Sequence, residues 1–174
     1  DKGNITFGRR SIVKGRPNIG GFAGNITSSP TFDGCSNSGS IVFNGTHKDY
    51  GYIRFGGIGG YVSTAATGSI TIKNGFTNSG NMSVGGSSKD ESPLGLGGLF
   101  GSISCPIVAE GEGEIKNTGT ISFTGETNKD LSLGGIAGIS AVAITVPVVN
   151  VGTVICTGDA TAATYIGGIV GQAT

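Results

Sequence analysis

The chain has 174 residues, 35 of them glycine and only 13% charged, and its formal net charge is zero. That balance leaves no basic excess for the clustered face that nucleic acid requires; the nearest thing, Arg9, Arg10, Lys14 and Arg16 in one loop, is expected to be a solvated loop. No apolar run approaches the roughly 18 residues of a membrane-spanning helix, so this segment is not expected to insert in a bilayer. The 36% hydrophobic content comes in ordered groups, and glycine lacks a period of three, which excludes disordered and collagen-like chains.

The chain opens on Asp1-Lys-Gly-Asn-Ile-Thr-Phe-Gly8 and returns to that pattern four times. The copies begin Asn37-Ser-Gly39, Asn78-Ser-Gly80, Asn117-Thr-Gly119 and Asn150-Val-Gly152. Asn and Gly tolerate positive φ and are turn residues. The alternating residues that follow read as a half-buried strand. Its inward set is Ile5 and Phe7, Ile41 and Phe43, Met82 and Val84, Ile121 and Phe123, Val154 and Cys156. Cys156 therefore takes a core position. A second short strand is expected before each turn, over 31–36, 69–74, 113–116 and 144–149. Its column Cys35, Phe76, Ile115 and Val148 stands two residues ahead of each turn Asn. Cys105 falls in an irregular connection that the pattern does not place.

Between these copies a Gly-Gly phrase recurs as Ile19–Gly24, Phe55–Gly60, Leu96–Gly101, Leu133–Gly138 and Ile166–Gly171, at intervals of 36, 41, 37 and 33 residues. Such a period marks a repeat architecture. The phrase reads as the third strand of the unit and carries two apolar columns. One is Ile19, Phe55, Leu96, Leu133 and Ile166; the other, three residues on, is Phe22, Ile58, Leu99, Ile136 and Ile169. Residues three apart on a straight strand face opposite sides. Either a bulge at the Gly-Gly pair turns both columns inward, or the second column faces out as a packing and assembly row.

High glycine with Val, Ile, Thr and Ser disfavours helix throughout. The expectation is an all-β, parallel β-solenoid with about three short strands per coil. It is one domain over residues 1–174, of four full repeats of about 37 residues with partial end repeats. Starting and stopping within a repeat, it reads as a section of a longer array. The loops 46–52, 86–95 and 126–131 occupy one place in the repeat and line one edge. His47, Lys48, Asp49, Lys89, Asp90 and Lys129 there are candidate ligand contacts. His47 has no Ser or Cys partner in a recognisable motif and is expected to be a solvated loop residue. The run Glu110, Glu112 and Glu114 would share a face on a strand, as oxygen ligands of a cation do, but in one repeat only it is expected to be a charged surface patch.

The Gly-Gly-apolar-x-Gly phrase, with Asn-[Ser/Thr]-Gly between its copies, resembles the GLUG-type repeats of bacterial cell-surface and secreted proteins. Gly60 following Gly59 and Val151 in the fourth Asn-x-Gly depart from that pattern without breaking it. The resemblance implies an extracellular or cell-surface stalk, adhesin or fibre subunit, without catalytic residues or cofactor. Its partners would be itself, through further repeats or end-to-end stacking, and a glycan or host surface. The competing expectation is a carbohydrate-active β-helix, lyase, hydrolase or glycan binder, with its site on the loop edge.

Overall fold

A computed structural model describes residues 2–48, 51–65, 67–88 and 93–174. Among these residues there is no helix, and 25 strands form five parallel sheets, each a column of strands stacked along the solenoid axis. Each coil visits the five faces in order. In the second coil the first face is Ile41–Phe43, the second Thr46–Lys48, the third Ile53–Gly56 and the fourth Gly59–Val62; the fifth, Ile70–Asn78, leads into the next turn. Every coil thus has more strands than the three expected. The stretch after the Asn-x-Gly strand pairs as a short face of its own, and the Gly-Gly phrase supplies two faces instead of one.

Register follows the repeat. Ile41 pairs with Ile5 and Met82, and Phe43 with Phe7 and Val84. The columns continue through Ile121 and Phe123 to Val154 and Cys156. All of these side chains point inward, as the alternation requires. Cys35, Phe76, Ile115 and Val148 form the expected column on the fifth face. All three cysteines are free. Cys105, which the pattern did not place, is buried in the core among Ile70, Ile103 and Ile107.

The two Gly-Gly columns both lie inside in the central coils, but by neither expected route. The strand ends at the first glycine of the pair, the chain bends over Gly57 and Ile58, and a new strand starts at Gly59. On this fourth face the pairing joins Gly59, Tyr61 and Val62 to Phe100, Ser102 and Ile103 and passes over Gly60 and Gly101. Because the phrase turns a corner, its columns enter different cores. Phe55, Leu96 and Leu133 pack with Ile41, Phe43 and Phe123, whereas Ile58, Leu99 and Ile136 pack with Phe76, Ile103 and Ile115. The cross-section therefore has two lobes. Faces one to three enclose the first, and faces four and five enclose the second. An assembly row facing outward does not exist in the central coils: Ile58, Leu99 and Ile136 are fully buried.

At the waist between the lobes the two recurring phrases meet. Asn37, Asn78 and Asn117 are buried, and with Asn150 they form a continuous amide ladder. The Nδ2 groups of Asn37, Asn78 and Asn117 each donate to the Oδ1 of the Asn one coil on, at 2.8 Å, and all four donate to the carbonyl of the glycine two residues later. Opposite the ladder stands the second glycine of the first four pairs, Gly21, Gly57, Gly98 and Gly135. A Cβ on Gly57 would come 2.5 Å from both Asn78 Oδ1 and the carbonyl oxygen of Gly98. Glycine is required there by close approach, not by an unusual φ.

The fifth face bends within itself. Asn74 and Gly75 have φ of 54° and 81°, and the register shifts between Lys73 and Phe76. Asn74 Nδ2 holds the bend by donating to Asp33 Oδ1 at 2.8 Å. In the next coil Gly111, with φ of 76°, interrupts the acidic run, so Glu110 ends a strand and Glu114 lies beyond the bend. The three carboxylates do not share one strand face. Glu114 instead meets Lys116 Nζ at 3.3 Å.

Candidate functional site

The second face begins the expected loop edge, and its side chains alternate like those of any strand. His47 points inward, contrary to the expectation of a solvated loop residue: it is 1% exposed and pairs in register with Val13 and Ser88. One ring nitrogen, Nε2, lies 2.8 Å from the Gly15 carbonyl, which accepts a hydrogen bond when Nε2 carries a proton. Nδ1 and the neighbouring Ser88 Oγ have no hydrogen-bond partner. Lys48 is exposed beside Lys14. Lys129 is half-buried and closes a small turn in which its backbone N–H donates to Thr127 Oγ1 at 3.1 Å. Asp49, Lys89 and Asp90 lie outside the described residues. The described members of this set are thus split between core and surface and do not converge.

Among the described residues no three His, Cys, Asp or Glu side chains come together as a metal site would require. Along the corner between the first and second faces runs a shallow polar channel of about 430 Å³, floored by the glycines Gly45, Gly86, Gly125 and Gly158 with Thr124 and Thr157 beside them. It collects the outward Thr and Ser positions of successive coils.

The chemically richest feature lies on the other side, where the outer surfaces of the third and fourth faces come toward each other in front of the corner. Arg54 projects from the third face between two aromatic rings, with its guanidinium carbon 4.3 Å from the centroid of Tyr52 and 4.3 Å from that of Tyr61. These are cation–π distances on both sides. Arg54 Nη1 donates to Asn18 Oδ1 one coil away at 3.3 Å, and the buried Nε has no partner. Burial holds the guanidinium below its ordinary pKa. The tyrosines Tyr61 and Tyr52 partly oppose this, and the nearby cation Arg16 adds to it. No carboxylate among the described residues acts on it. The Tyr61 phenol is pulled below its usual value, first by the Ser63 hydroxyl, then by Ser104 and by Arg54 itself, against the opposing effect of burial.

From Arg54 a groove of about 340 Å³ runs along the solenoid axis, with Ser102, Ser104, Ile139, Gln172 and Asp130 on its walls. Gly95 stands where the next side chain after Arg54 would be, and Ser132 Oγ meets Gln172 Oε1 at 3.2 Å across the groove. Sequence reasoning missed this cluster. The only signal was the spacing Tyr52-x-Arg54 on a strand, which puts both side chains on one outer face; that Tyr61 would close on them depends on the corner at Gly57.

The end coils differ from the centre. Ile166 and Ile169 are 54% and 37% exposed, whereas their equivalents Leu133 and Ile136 are fully buried. At the opposite end Phe22 is 39% exposed but packs edge to face against Phe32 and Phe76, with centroids 5.7 and 5.4 Å away. Comparison with protein-family models, with curated proteins and with solved structures returns no match.

Proposed function

We propose that the chain is a non-catalytic structural or adhesive repeat module, of the extracellular or cell-surface kind, that builds a stalk, adhesin or fibre by stacking coil on coil. The observation that carries this reading is the contrast along the two apolar columns of the Gly-Gly phrase. Leu133 and Ile136 are sealed by the coil above them, and Ile166 and Ile169 present the same apolar positions uncovered. The amide ladder supports it as well. Asn150 Nδ2 donates only to the Gly152 carbonyl, so its second N–H is free for an Asn one coil on. A further coil of the same repeat, from a continuing array or from a second copy, supplies both the apolar cover and the amide acceptor. The phrases that carry the GLUG-type resemblance are the two that meet at the waist, so the repeat signature and the stacking geometry coincide. The burial of His47 against a backbone carbonyl fits a role in packing.

Sedimentation velocity over a range of concentrations tests this with the whole chain and with Ile166→Lys/Ile169→Lys. Concentration-dependent association by the native chain, lost in the double variant, is the expected result. A native chain that stays monomeric throughout, with its last coil fully protected from hydrogen exchange, would overturn it.

A further inference from the structure

We propose that the groove beside Arg54 binds an acidic oligosaccharide, a single uronate followed by neutral sugars lying along the solenoid axis, with the uronate carboxylate on the Arg54 guanidinium. This goes beyond the structural role and does not depend on what covers the end coils.

Charge is the first argument. Arg54 is oriented by two ring contacts and by Asn18, so its planar fork is already ordered. Arg16 is the other charge acting on it, and that cation is repulsive. A carboxylate arriving at the free edge of the guanidinium removes this imbalance, and arginine recognises it with two parallel N–H donors. Lysine would give a point charge without that fork. Preorganisation matters because the ligand then does not have to order a long side chain on binding.

The lining supplies the second argument. Beyond Arg54 the groove offers the hydroxyls of Ser102 and Ser104 and the amide of Gln172, groups that both donate and accept. Asp130 follows Tyr52 and Pro93 in the same column, two rungs along. At a strand spacing of about 4.8 Å that places it roughly 10 Å from the Tyr52 position. A carboxylate only accepts hydrogen bonds, and a sugar hydroxyl is a suitable donor. A second anionic group would be repelled there, so the groove is bipolar: it takes an acid at the Arg54 end and a neutral polyol face at the Asp130 end. Ile139 provides an apolar strip between them. A groove of about 340 Å³ lies within the range of small-molecule sites. An acidic peptide would bring the negative charge, but its run of carboxylates would meet Asp130 at the far end of the groove.

The test uses the whole chain and three probes: an acid trimer made of one glucuronic acid on two neutral xylose units, its methyl ester, and a hexaglutamate peptide, titrated by calorimetry. The acid trimer is expected to bind at least about tenfold more tightly than the ester, a factor worth roughly 1.4 kcal/mol. Arg54→Gln is expected to remove that preference and Arg54→Lys to retain part of it. Ala141→Trp, at an exposed groove position remote in sequence from the Arg54 cluster, is expected to weaken the acid trimer by blocking the channel. Circular dichroism on each variant separates loss of binding from loss of fold. Equal binding of acid and ester, unchanged binding by Arg54→Gln or by Ala141→Trp, or absence of saturable binding by the acid trimer would overturn the proposal. Hexaglutamate binding as tightly as the trimer would also overturn it, by showing that charge alone is recognised.

Discussion

Asn78 and Gly57 touch across the waist of the solenoid: the space that a Cβ on Gly57 would occupy is already held, 2.5 Å away, by Asn78 Oδ1. One residue comes from the Asn-x-Gly turn and the other from the Gly-Gly phrase, so the two repeating signatures are halves of one contact. Gly57 cannot retreat, because its N–H donates to the Gly98 carbonyl at 3.1 Å. Gly57→Ala is therefore expected to destabilise the chain by about 1–3 kcal/mol or more, the range for forced overpacking. Gly8→Ala, at a glycine with open space around it, is expected to stay within about 0.5 kcal/mol. Urea midpoints at unchanged slope would show the difference.

The amide ladder carries the second prediction. Asn117→Ala removes an acceptor from Asn78 and a donor from both Gly119 and Asn150, all at a buried site. Each buried group left unpaired costs about 1–3 kcal/mol, so a loss of about 3 kcal/mol or more is expected. Asn150→Ala leaves one buried donor, on Asn117 Nδ2, without its acceptor beside a half-buried rung where water can reach, and should cost less, about 1–2 kcal/mol. Equal effects at both positions in equilibrium unfolding would refute the ladder as a buried device.

A column tests the two-lobed packing. Leu96→Ala empties a fully buried position in the central coil and should cost about 2–5 kcal/mol. Ile166→Ala sits in the same column but is 54% exposed, and should cost under about 1 kcal/mol in the dilute chain. Thermal or denaturant unfolding of the pair is sufficient to compare them.

Tyr61 provides a pH signature. Its phenol titrates below the ordinary value, with Ser63 the largest cause and Arg54 a smaller one. At neutral pH the group is protonated in both folded and unfolded chains and contributes nothing. As pH rises through the folded value toward the unfolded one near 10, the folded chain gains stability from it, and that gain is complete above the unfolded value. Ultraviolet titration of tyrosinate, taken as the difference between the native chain and Tyr61→Phe, should show an early component. In Arg54→Gln that component should move to higher pH; an unmoved titration would remove Arg54 from the account of this phenol.

Much of this architecture was legible in the sequence. The period, the parallel stacking, the inward set from Ile5 to Cys156 and the Asn column follow from the spacing of apolar and turn residues, because stacked coils force like onto like. The corner at Gly57 and Ile58 was not legible, since alternation identifies a strand but gives no sign of a bend that keeps two residues three apart inside. His47 was misread because charge in the flanking residues suggested a loop, although the position falls on an inward rung with Val13, Ser88 and Thr127. The Arg54 groove is a tertiary product. Tyr61 is seven residues from Arg54 in the chain and reaches it only because the corner brings the outer faces of two strands together.

Hydrogen exchange followed by mass spectrometry as protein concentration rises tests the central claim, that coil stacking covers the end of this solenoid, most directly. Protection of Thr164–Gly167 and Val170–Ala173 should increase with concentration, while Phe100–Ile103 in the central coils stays strongly protected throughout. Terminal strands that are as strongly protected as Phe100–Ile103 already at the lowest concentration, with no change as concentration rises, would contradict it.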